Sequence, residues 1–284
     1  MKPILKWAGG KSRLADLISD AFGMPCEGTY YEPFAGSAAV FLYRRARGQV
    51  RRAVLSDANT KLMAFHRSVR DNVDELIQEL AKLPRRNWHA RYYEMREAFN
   101  RGPWEGPAHA ARFAWLNRAG FNGLYRENRS GCFNVPIGSY EELSLPEPAH
   151  FWQVSQLMQG VELRDGRFQD VIGEVSSGDQ VYCDPPYVPL TATANFTAYC
   201  KEKFGPNEQL ALARMAMQAA AGGARVVLSN HDVPWVRQEL YLEERGFEMV
   251  WAPMVSRAIS RNGEGRKAVP EVIAAIGPVV RQAA

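Results

Sequence analysis

Short β-like runs alternate with helical patterns along this chain of 284 residues, and this alternation limits the folds open to it. Predicted strands are Thr29–Glu32, Ala53–Ser56, Val161–Arg164, Gln180–Cys183, Arg225–Ser229, Phe247–Ala252 and Glu271–Ile276. Predicted helices are 60–83, Glu208–Ala221 and Val233–Glu244. Such an alternation is typical of the α/β class, in which helices cover both faces of a doubly wound, mostly parallel sheet.

The alternation stops between about residues 60 and 145, where the chain is helical, then rich in arginine, then rich in loops. We therefore expect a mainly helical domain inserted between the second and third strands. The predicted division is 1–60 for the first part of the sheet domain, 61–145 for the insert and 146–284 for the second part.

The inserted stretch concentrates positive charge. Residues 84–130 hold nine arginines, no lysine and four glutamates, an excess of five, whereas the whole chain carries only +4. Arginines interleaved with tryptophan and tyrosine favour phosphate and base contacts with a nucleic acid. Such an excess of arginine is also found on a helical surface that only faces solvent.

Several further features bound the class of protein. No run of eighteen apolar residues occurs, and the amino terminus lacks the apolar segment of a signal peptide, so we expect a cytoplasmic protein that does not enter a membrane. Four cysteines (Cys26, Cys132, Cys183, Cys200) lack CxxC spacing, so we expect free thiols and no metal site. We expect the chain to be a monomer.

The predicted strand Gln180–Cys183 runs directly into Asp184-Pro185-Pro186-Tyr187. Proline cannot donate to a sheet ladder, so the strand must end at Asp184. Its end then carries a carboxylate and stiff backbone carbonyls, at the edge where α/β sheets bind ligands. A solvated proline-rich turn is the plain alternative.

This end of the strand suits chemistry on an exocyclic amine, which is a poor nucleophile because its lone pair is delocalised into the ring. The Asp184 carboxylate and the Pro185 carbonyl could accept both amine hydrogens and localise the lone pair towards an incoming methyl group. Tyr187 could stack on the base. Such a base must first leave the duplex stack.

Two further motifs indicate a cofactor site. In EPFAGS, Gly36 permits close backbone approach and Ser37 could cap the next helix, while Asp57 ends the next strand and could bind ribose hydroxyls. A single glycine is too few for a pyrophosphate, so these features favour an adenosine cofactor without one. Lys11 follows a flexible glycine turn but is no P-loop lysine, because Leu5 occupies the first glycine position.

The motif set as a whole resembles the adenine-specific DNA methyltransferases of the Dam family. The matching segments follow the family order nearly end to end: KWAGGK, EPFAGS, DAN (57–59), FNGLYREN and FNVPIG (121–138), VYCDPPY, TANFTAY (193–199), SNHD (229–232) and RNGEGRK (261–267). The resemblance implies S-adenosyl-L-methionine as methyl donor, double-stranded DNA as partner, and a flipped adenine, usually in GATC, as acceptor.

The resemblance also implies roles for individual residues. The catalytic motif comprises Asp184, Pro185, Pro186 and Tyr187. The cofactor-binding positions are Trp7, Ala8, Gly9, Lys11, Phe34, Gly36, Ser37, Asp57 and Asp184. The DNA-binding positions are Lys6, Asn122, Leu124, Arg126, Asn134 and Pro136. Ser139 departs from the family, whose members often carry arginine there.

Other readings stay open on the residues alone. One is a non-catalytic DNA-binding protein, although neither the cofactor loop nor the Asp-Pro-Pro-Tyr motif is damaged. Another is an amino-methyltransferase of RNA or protein, which would have no use for the arginine-rich insert. A cytosine 5-methyltransferase needs a Pro-Cys nucleophile, and Pro25-Cys26 precedes the cofactor loop. His231 is expected to be structural, and host regulation, phage and restriction-modification roles are not distinguished.

Overall fold

A computed structural model of the chain describes residues 1–190, 204–251, 253–256 and 268–279. The TANFTAY and RNGEGRK motifs and Cys200 lie outside these residues. The described strands are β1 (Thr29–Glu32), β2 (Arg52–Asp57), β3 (Glu162–Asp165), β4 (Gln180–Cys183), β5 (Arg225–His231), β6 (Glu248–Trp251), β7 (Met254–Ser256) and β8 (Ala268–Ile276). They form one sheet in the order β3-β2-β1-β4-β5-β8-β6, with β7 also paired to β8.

The sheet is parallel on one side and antiparallel on the other. β1 pairs in parallel with β2 and β4, β2 with β3, and β4 with β5. β8 runs antiparallel to β5, β6 and β7. The strand order reverses between β1 and β4, which makes their carboxyl ends the switch point where such sheets bind ligands. The doubly wound α/β prediction is confirmed.

The described helices of more than one turn are α1 (Ala15–Phe22), α2 (Ala39–Arg45), α3 (Thr60–Asp71), α4 (Val73–Lys82), α5 (Trp88–Asn100), α6 (Pro107–Ala119), α7 (Pro148–Met158), α8 (Phe168–Ile172) and α9 (Pro206–Ala221). They bury two apolar cores, one on each face of the sheet. Tyr30 and Tyr182 point into one core, whereas Tyr31 and Val181 point into the other. This alternation follows from the two-residue period of a strand.

Two predicted helices are wrong in detail. The stretch 60–83 is two helices, since Asn72 leaves the helical region (φ −135°, ψ 41°) between α3 and α4. An asparagine side chain competes with the helical backbone for hydrogen bonds, which favours such a break. The stretch Val233–Glu244 forms only a π turn (Val236–Leu240) and a 3-10 turn (Glu243–Arg245), because Tyr241 is also non-helical.

Helices α3 to α7 lie between β2 and β3, a stretch in which every residue is described. α3 packs on β2, β3 and α7 with one part of its surface and on α4 and α6 with another. It is therefore the helix that joins the sheet to the other inserted helices. No helix among the described residues is long and apolar enough to span a bilayer.

Candidate active site and nucleic-acid interface

Asp184 follows β4 at the switch point and is held by two donors. The Lys11 ammonium lies 2.9 Å from Asp184 Oδ1, and the Ser229 hydroxyl donates to the same oxygen over 3.2 Å. The Lys11 side chain is only 5% exposed, so its partner offsets the cost of burying its charge. Both contacts use Oδ1.

Ser229 was not anticipated as a site residue from the sequence. It is buried within β5, and it accepts a hydrogen bond of 2.6 Å from the Tyr182 hydroxyl while donating to Asp184. The parallel register pairs Cys183 with Leu228, so the next residues, Asp184 and Ser229, lie side by side. A strand alignment of VYCD with VVLS could have revealed this pairing.

The rest of the Asp-Pro-Pro-Tyr motif is fixed by surrounding side chains. Gln209 donates to the Pro186 carbonyl over 2.7 Å, and the Tyr187 hydroxyl donates to Glu271 Oε2 over 3.1 Å. The Tyr187 ring lies 4.7 Å from the Lys11 ammonium. His231 contacts the Val188 carbonyl through Nδ1 at 2.6 Å, as a residue that supports the motif.

In the turn after β1, Gly36 makes a hydrogen bond through its N–H and another through its carbonyl. Its N–H donates to Asp57 Oδ2 over 3.0 Å, and its carbonyl lies 2.8 Å from His66 Nε2. A carbonyl can only accept, so Nε2 carries the proton. Gly36 has φ +48°, and a Cβ there would lie 2.9 Å from the Trp7 ring. Both facts require glycine.

Burial changes the protonation of the groups around this turn. Desolvation raises the pKa of Asp57, opposed by the N–H groups of Asn59 and Gly36 that donate to its carboxylate. Burial lowers the pKa of His66 to about 4, so its ring is neutral at neutral pH. Behind the turn, burial raises the pKa of Glu32 to about 8, although Tyr30 and Phe41 donate to it.

Ser37 does not cap the following helix, which corrects one expectation from the sequence. The residue before α2 is Ala38, in a left-handed conformation (φ 57°), and no side chain caps the helix. Ser37 is instead buried beside the amino-terminal turn, where its hydroxyl lies 3.7 Å from the position of a Cβ on Gly10.

Aromatic rings line the other side of the turn. Phe34 stacks on Phe168 with ring centroids 5.5 Å apart, and Phe204 packs edge-on against Phe34 at 5.5 Å. Phe168 and Phe204 were missed in the sequence because single phenylalanines carry no motif. The Trp7 ring, in the KWAGGK motif with Ala8 and Gly9, lies against Gly36.

Residues 125–134 form a hairpin, which carries the exposed Arg126 and is referred to as the 125–134 hairpin. Its strands bridge at Glu127 and Phe133, and the Asn128 side chain accepts from the Ser130 and Cys132 N–H groups in the turn. The Arg126 guanidinium donates to the Asn134 side chain over 2.7 Å and to its carbonyl over 3.0 Å. A preordered guanidinium on a surface suits recognition of a base edge.

The other residues assigned to DNA binding lie next to this hairpin. Asn117 binds the backbone N–H and carbonyl of Lys6, and the Lys6 ammonium lies 4.9 Å from the Tyr140 ring. Asn122 is left-handed (φ 54°) in the turn before Leu124. The Pro136 carbonyl accepts from the Phe121 N–H over 2.9 Å.

Trp7 connects the two regions. Its ring contacts the Gly36 turn and also stacks on Tyr125 of the 125–134 hairpin, with centroids 5.5 Å apart. Lys6 contacts Asn117 and Tyr140, whereas Lys11 pairs with Asp184. The amino-terminal segment therefore lies between the switch point and the hairpin.

Comparison with known proteins identifies the family of the chain. The model of the D12 class N6 adenine-specific DNA methyltransferases matches residues 7–251. A Salmonella typhi protein named DNA adenine methylase is 36% identical over 98% of this chain and 96% of its own length. An Escherichia coli K12 protein of the same name is also 36% identical, with the same coverage. The type II methyltransferase M.MjaIII of Methanocaldococcus jannaschii is 35% identical over 81% of this chain and 84% of its own length.

Solved structures resemble the chain more remotely. The Bacillus subtilis M1A22 tRNA methyltransferase TrmK covers 96% of this chain and 68% of its own, at 11% identity and a TM-score of 0.37. The family model spans most of the chain, and the relatives match it almost end to end. The chain therefore belongs to the D12 class of N6 adenine-specific DNA methyltransferases, enzymes that use S-adenosyl-L-methionine as methyl donor.

Proposed function

We propose that this enzyme methylates the N6 amine of an adenine in the duplex sequence GATC, after that adenine has flipped out of the stack. The observation that carries the proposal is the pair of donors on Asp184 Oδ1, Lys11 at 2.9 Å and Ser229 at 3.2 Å. They orient the carboxylate so that Oδ2 is the oxygen available to an amine. A stacked base could not reach this recessed position, so flipping is required.

The residues at the switch point fit S-adenosyl-L-methionine, which supplies a methyl group on a positively charged sulfur. Asp57 would accept from the ribose hydroxyls, since its two oxygens each hold only one backbone N–H and keep further lone pairs. Phe34 would pack against the adenine of the cofactor, and Lys11 would contact its carboxylate. The walls of the cofactor site would be formed by Trp7, Ala8, Gly9, Gly36 and Ser37.

At the target amine, we assign hydrogen-bond acceptance to Asp184 Oδ2 and the Pro185 carbonyl. The Pro186 carbonyl already accepts from Gln209, which fixes the preceding peptide. Two acceptors on the amine draw its lone pair out of the ring and towards the methyl group. As the amine nitrogen takes the methyl group and the methyl–sulfur bond of the donor breaks, leaving the electron pair on sulfur, the amine would lose one proton, and Asp184 Oδ2 would be the base that accepts it. Tyr187 would stack on the flipped ring.

Recognition of GATC is proposed for the 125–134 hairpin and the residues beside it. Arg126 would read a guanine through two hydrogen bonds, with Lys6, Asn122, Leu124, Asn134 and Pro136 forming the remaining interface. Ser139 is exposed near this interface. A serine is too short for a bidentate guanine contact, so we expect one outer base pair to be read less strictly. Residues 61–145 are proposed as the target-recognition domain, and 1–60 with 146–284 as the catalytic domain.

Methylation of defined duplexes with labelled cofactor tests the proposal. The substrates are a GATC duplex, the same duplex with both target adenines already N6-methylated, and an RNA duplex of equivalent sequence. We expect label only in the unmethylated DNA, and only in N6-methyladenine after digestion to nucleosides. Label in the RNA would favour the RNA amino-methyltransferase reading, and label in cytosine would contradict the chemistry assigned to Asp184.

A further inference from the structure

Lys61 makes a buried ionic contact that the mechanism above does not use. It is the second residue of α3, and its side chain is only 6% exposed. Its ammonium lies 2.7 Å from Glu127 Oε1, also donates to the Gly131 carbonyl, and lies 4.6 Å from the Trp104 ring. Glu127 belongs to the first strand of the 125–134 hairpin and Gly131 to its turn. One buried ammonium therefore holds the hairpin at two points.

The helix that carries Lys61 begins at the cofactor-binding turn. The Asn59 N–H donates to Asp57 Oδ1 over 2.9 Å, and the Asn59 side chain caps α3 by accepting from the Leu62 N–H over 3.1 Å. Lys61 lies between Asn59 and Leu62, the two residues that this cap joins. A displacement of the Asp57 carboxylate would thus be passed directly to the first turn of α3.

The second strand of the hairpin is held by a different helix. The Asn100 side chain of α5 both donates to and accepts from the Phe133 backbone, over 3.0 and 2.8 Å. The Tyr92 hydroxyl of α5 donates to the Val135 carbonyl over 2.9 Å. The two strands are therefore anchored separately, the first to α3 near the cofactor turn and the second to α5.

Glu127 is adjacent to Arg126, and successive side chains of a strand point to opposite faces. Lys61 pulls Glu127 towards α3, which leaves Arg126 on the exposed face, where it is ordered by Asn134. Tyr125 also donates to Glu127 and stacks on Trp7. The orientation of Arg126 therefore depends on the contact between Lys61 and Glu127.

We propose that Lys61 is a positioning residue that couples the cofactor-binding turn to base recognition, through its ion pair with Glu127. The inference rests on the proposed function in two respects, that Arg126 reads a base and that the turn at Asp57 binds the cofactor. Coupling is reciprocal, so if the bound cofactor tightens recognition of the correct DNA, the correct DNA must tighten cofactor binding by the same factor.

The experiment compares the full chain with three variants: Lys61→Met, Glu127→Gln and the double variant. Lys82→Met is the matched control, since Lys82 forms an exposed pair with Glu79 on α4 without contacting the hairpin. Two quantities are measured for each protein. One is the ratio of kcat/KM on the preferred duplex to that on duplexes changed at one base pair; the other is the change in duplex Kd caused by S-adenosylhomocysteine.

We expect Lys61→Met and Glu127→Gln each to lower both quantities about 2- to 30-fold, a range typical of residues that link two sites. The double variant should lose no more than the larger single loss, because both changes break one contact. Lys82→Met should match the wild type. Lys61→Arg, which keeps the charge, should retain most of the preference for the preferred duplex over the altered duplexes.

The outcomes separate this inference from the proposed function. If the wild type prefers a sequence other than GATC, the proposed site fails, while the coupling is still measured on the sequence that it does prefer. Losses that add up in the double variant would contradict a shared contact. Glu127→Gln alters an exposed hairpin and provides the test if Lys61→Met does not fold. Unchanged specificity and unchanged coupling in Glu127→Gln would overturn the inference.

Discussion

The Lys11 ammonium lies 2.9 Å from Asp184 Oδ1, and this contact joins the amino-terminal glycine turn to the end of β4. Lys11 also donates to the Gly9 carbonyl and faces the Tyr187 ring at 4.7 Å. A single lysine thus touches the turn assigned to the cofactor and the motif assigned to the target base. We infer that the methyl donor and the acceptor amine meet next to this ion pair.

Replacing Asp184 tests its proposed role. We expect Asp184→Ala to reduce the rate of methyl transfer at least about 10²- to 10³-fold, because a preorganised group that stabilises the transition state is lost. Duplex affinity should stay within a few-fold of wild type, since phosphate contacts supply most of it. Single-turnover assays and fluorescence anisotropy measure the two effects. Asp71→Ala, at an exposed aspartate paired with Arg70, is the control. Near-normal turnover in Asp184→Ala would exclude the mechanism.

Asp57 is expected to hold the ribose of the cofactor. Loss of a charge-assisted hydrogen bond costs roughly 1.5–3 kcal/mol, so Asp57→Ala should weaken S-adenosyl-L-methionine binding about ten- to a hundredfold. Asp57→Asn keeps an acceptor for the Asn59 N–H and should be weakened less. Calorimetry without DNA gives both affinities. Equal binding by wild type and Asp57→Ala would remove this residue from the site.

Arg126 is expected to discriminate one base pair. A good bidentate contact is worth about 1–3 kcal/mol of discrimination, so Arg126→Ala should methylate sites changed at that pair almost as well as the parent site. Arg129→Ala, in the exposed turn of the same hairpin, should lower affinity for all duplexes alike, if it binds phosphate. Competition between the parent duplex and a duplex changed at one base pair measures the ratio of the two methylation rates. If Arg126→Ala instead lowered the affinity for all duplexes equally, Arg126 would be a phosphate-binding residue.

His66 should make stability depend on pH. Its pKa falls from 6.5 to about 4 in the folded chain because it is buried. The unfolded chain therefore takes up a proton below pH 6.5 that the folded chain refuses until about pH 4, so the free energy of unfolding falls across that window as the pH drops. His66→Gln keeps a donor for the Gly36 carbonyl and does not titrate.

Denaturant unfolding of both proteins from pH 7 to pH 4 measures this contribution. The variant should lose less stability than the wild type, by on the order of 1–3 kcal/mol at pH 4. The difference between the two curves isolates His66 from Glu32, His109 and the carboxylates that titrate nearby. Parallel curves would mean that folding leaves the pKa of His66 unshifted.

The sequence predicted the sheet well, because the positions of its strands follow from local rules. A short apolar run and the Pro185-Pro186 stop indicated β4, which is buried on both faces, and the glycine turn with Asp57 stays the predicted cofactor side. Helix ends were predicted less well, since the breaks fall at Asn72 and Tyr241, and neither is the glycine or proline that marks a break most clearly in a sequence. The Ser37 cap failed because Ala38 is left-handed and begins the helix differently.

Contacts between distant segments could not be predicted. Ser229 meets Asp184 only through the pairing of β4 with β5, and Lys61 meets Glu127 only because the 125–134 hairpin folds back on α3. Neither pair forms a motif, and a lysine near the start of a helix is usually solvated. Tertiary packing alone gives these residues their partners.

Mapping the methylated base at single-nucleotide resolution tests the central claim most directly. The wild-type enzyme and S-adenosyl-L-methionine are incubated with a random-sequence duplex library, and modified bases are read by single-molecule sequencing. We expect N6-methyladenine concentrated in GATC, with weaker modification of sites that differ at one outer base pair, as the Ser139 substitution suggests. A dominant methylated site without a GATC core would contradict the proposed specificity, and modification of any base other than adenine would contradict the chemistry assigned to Asp184.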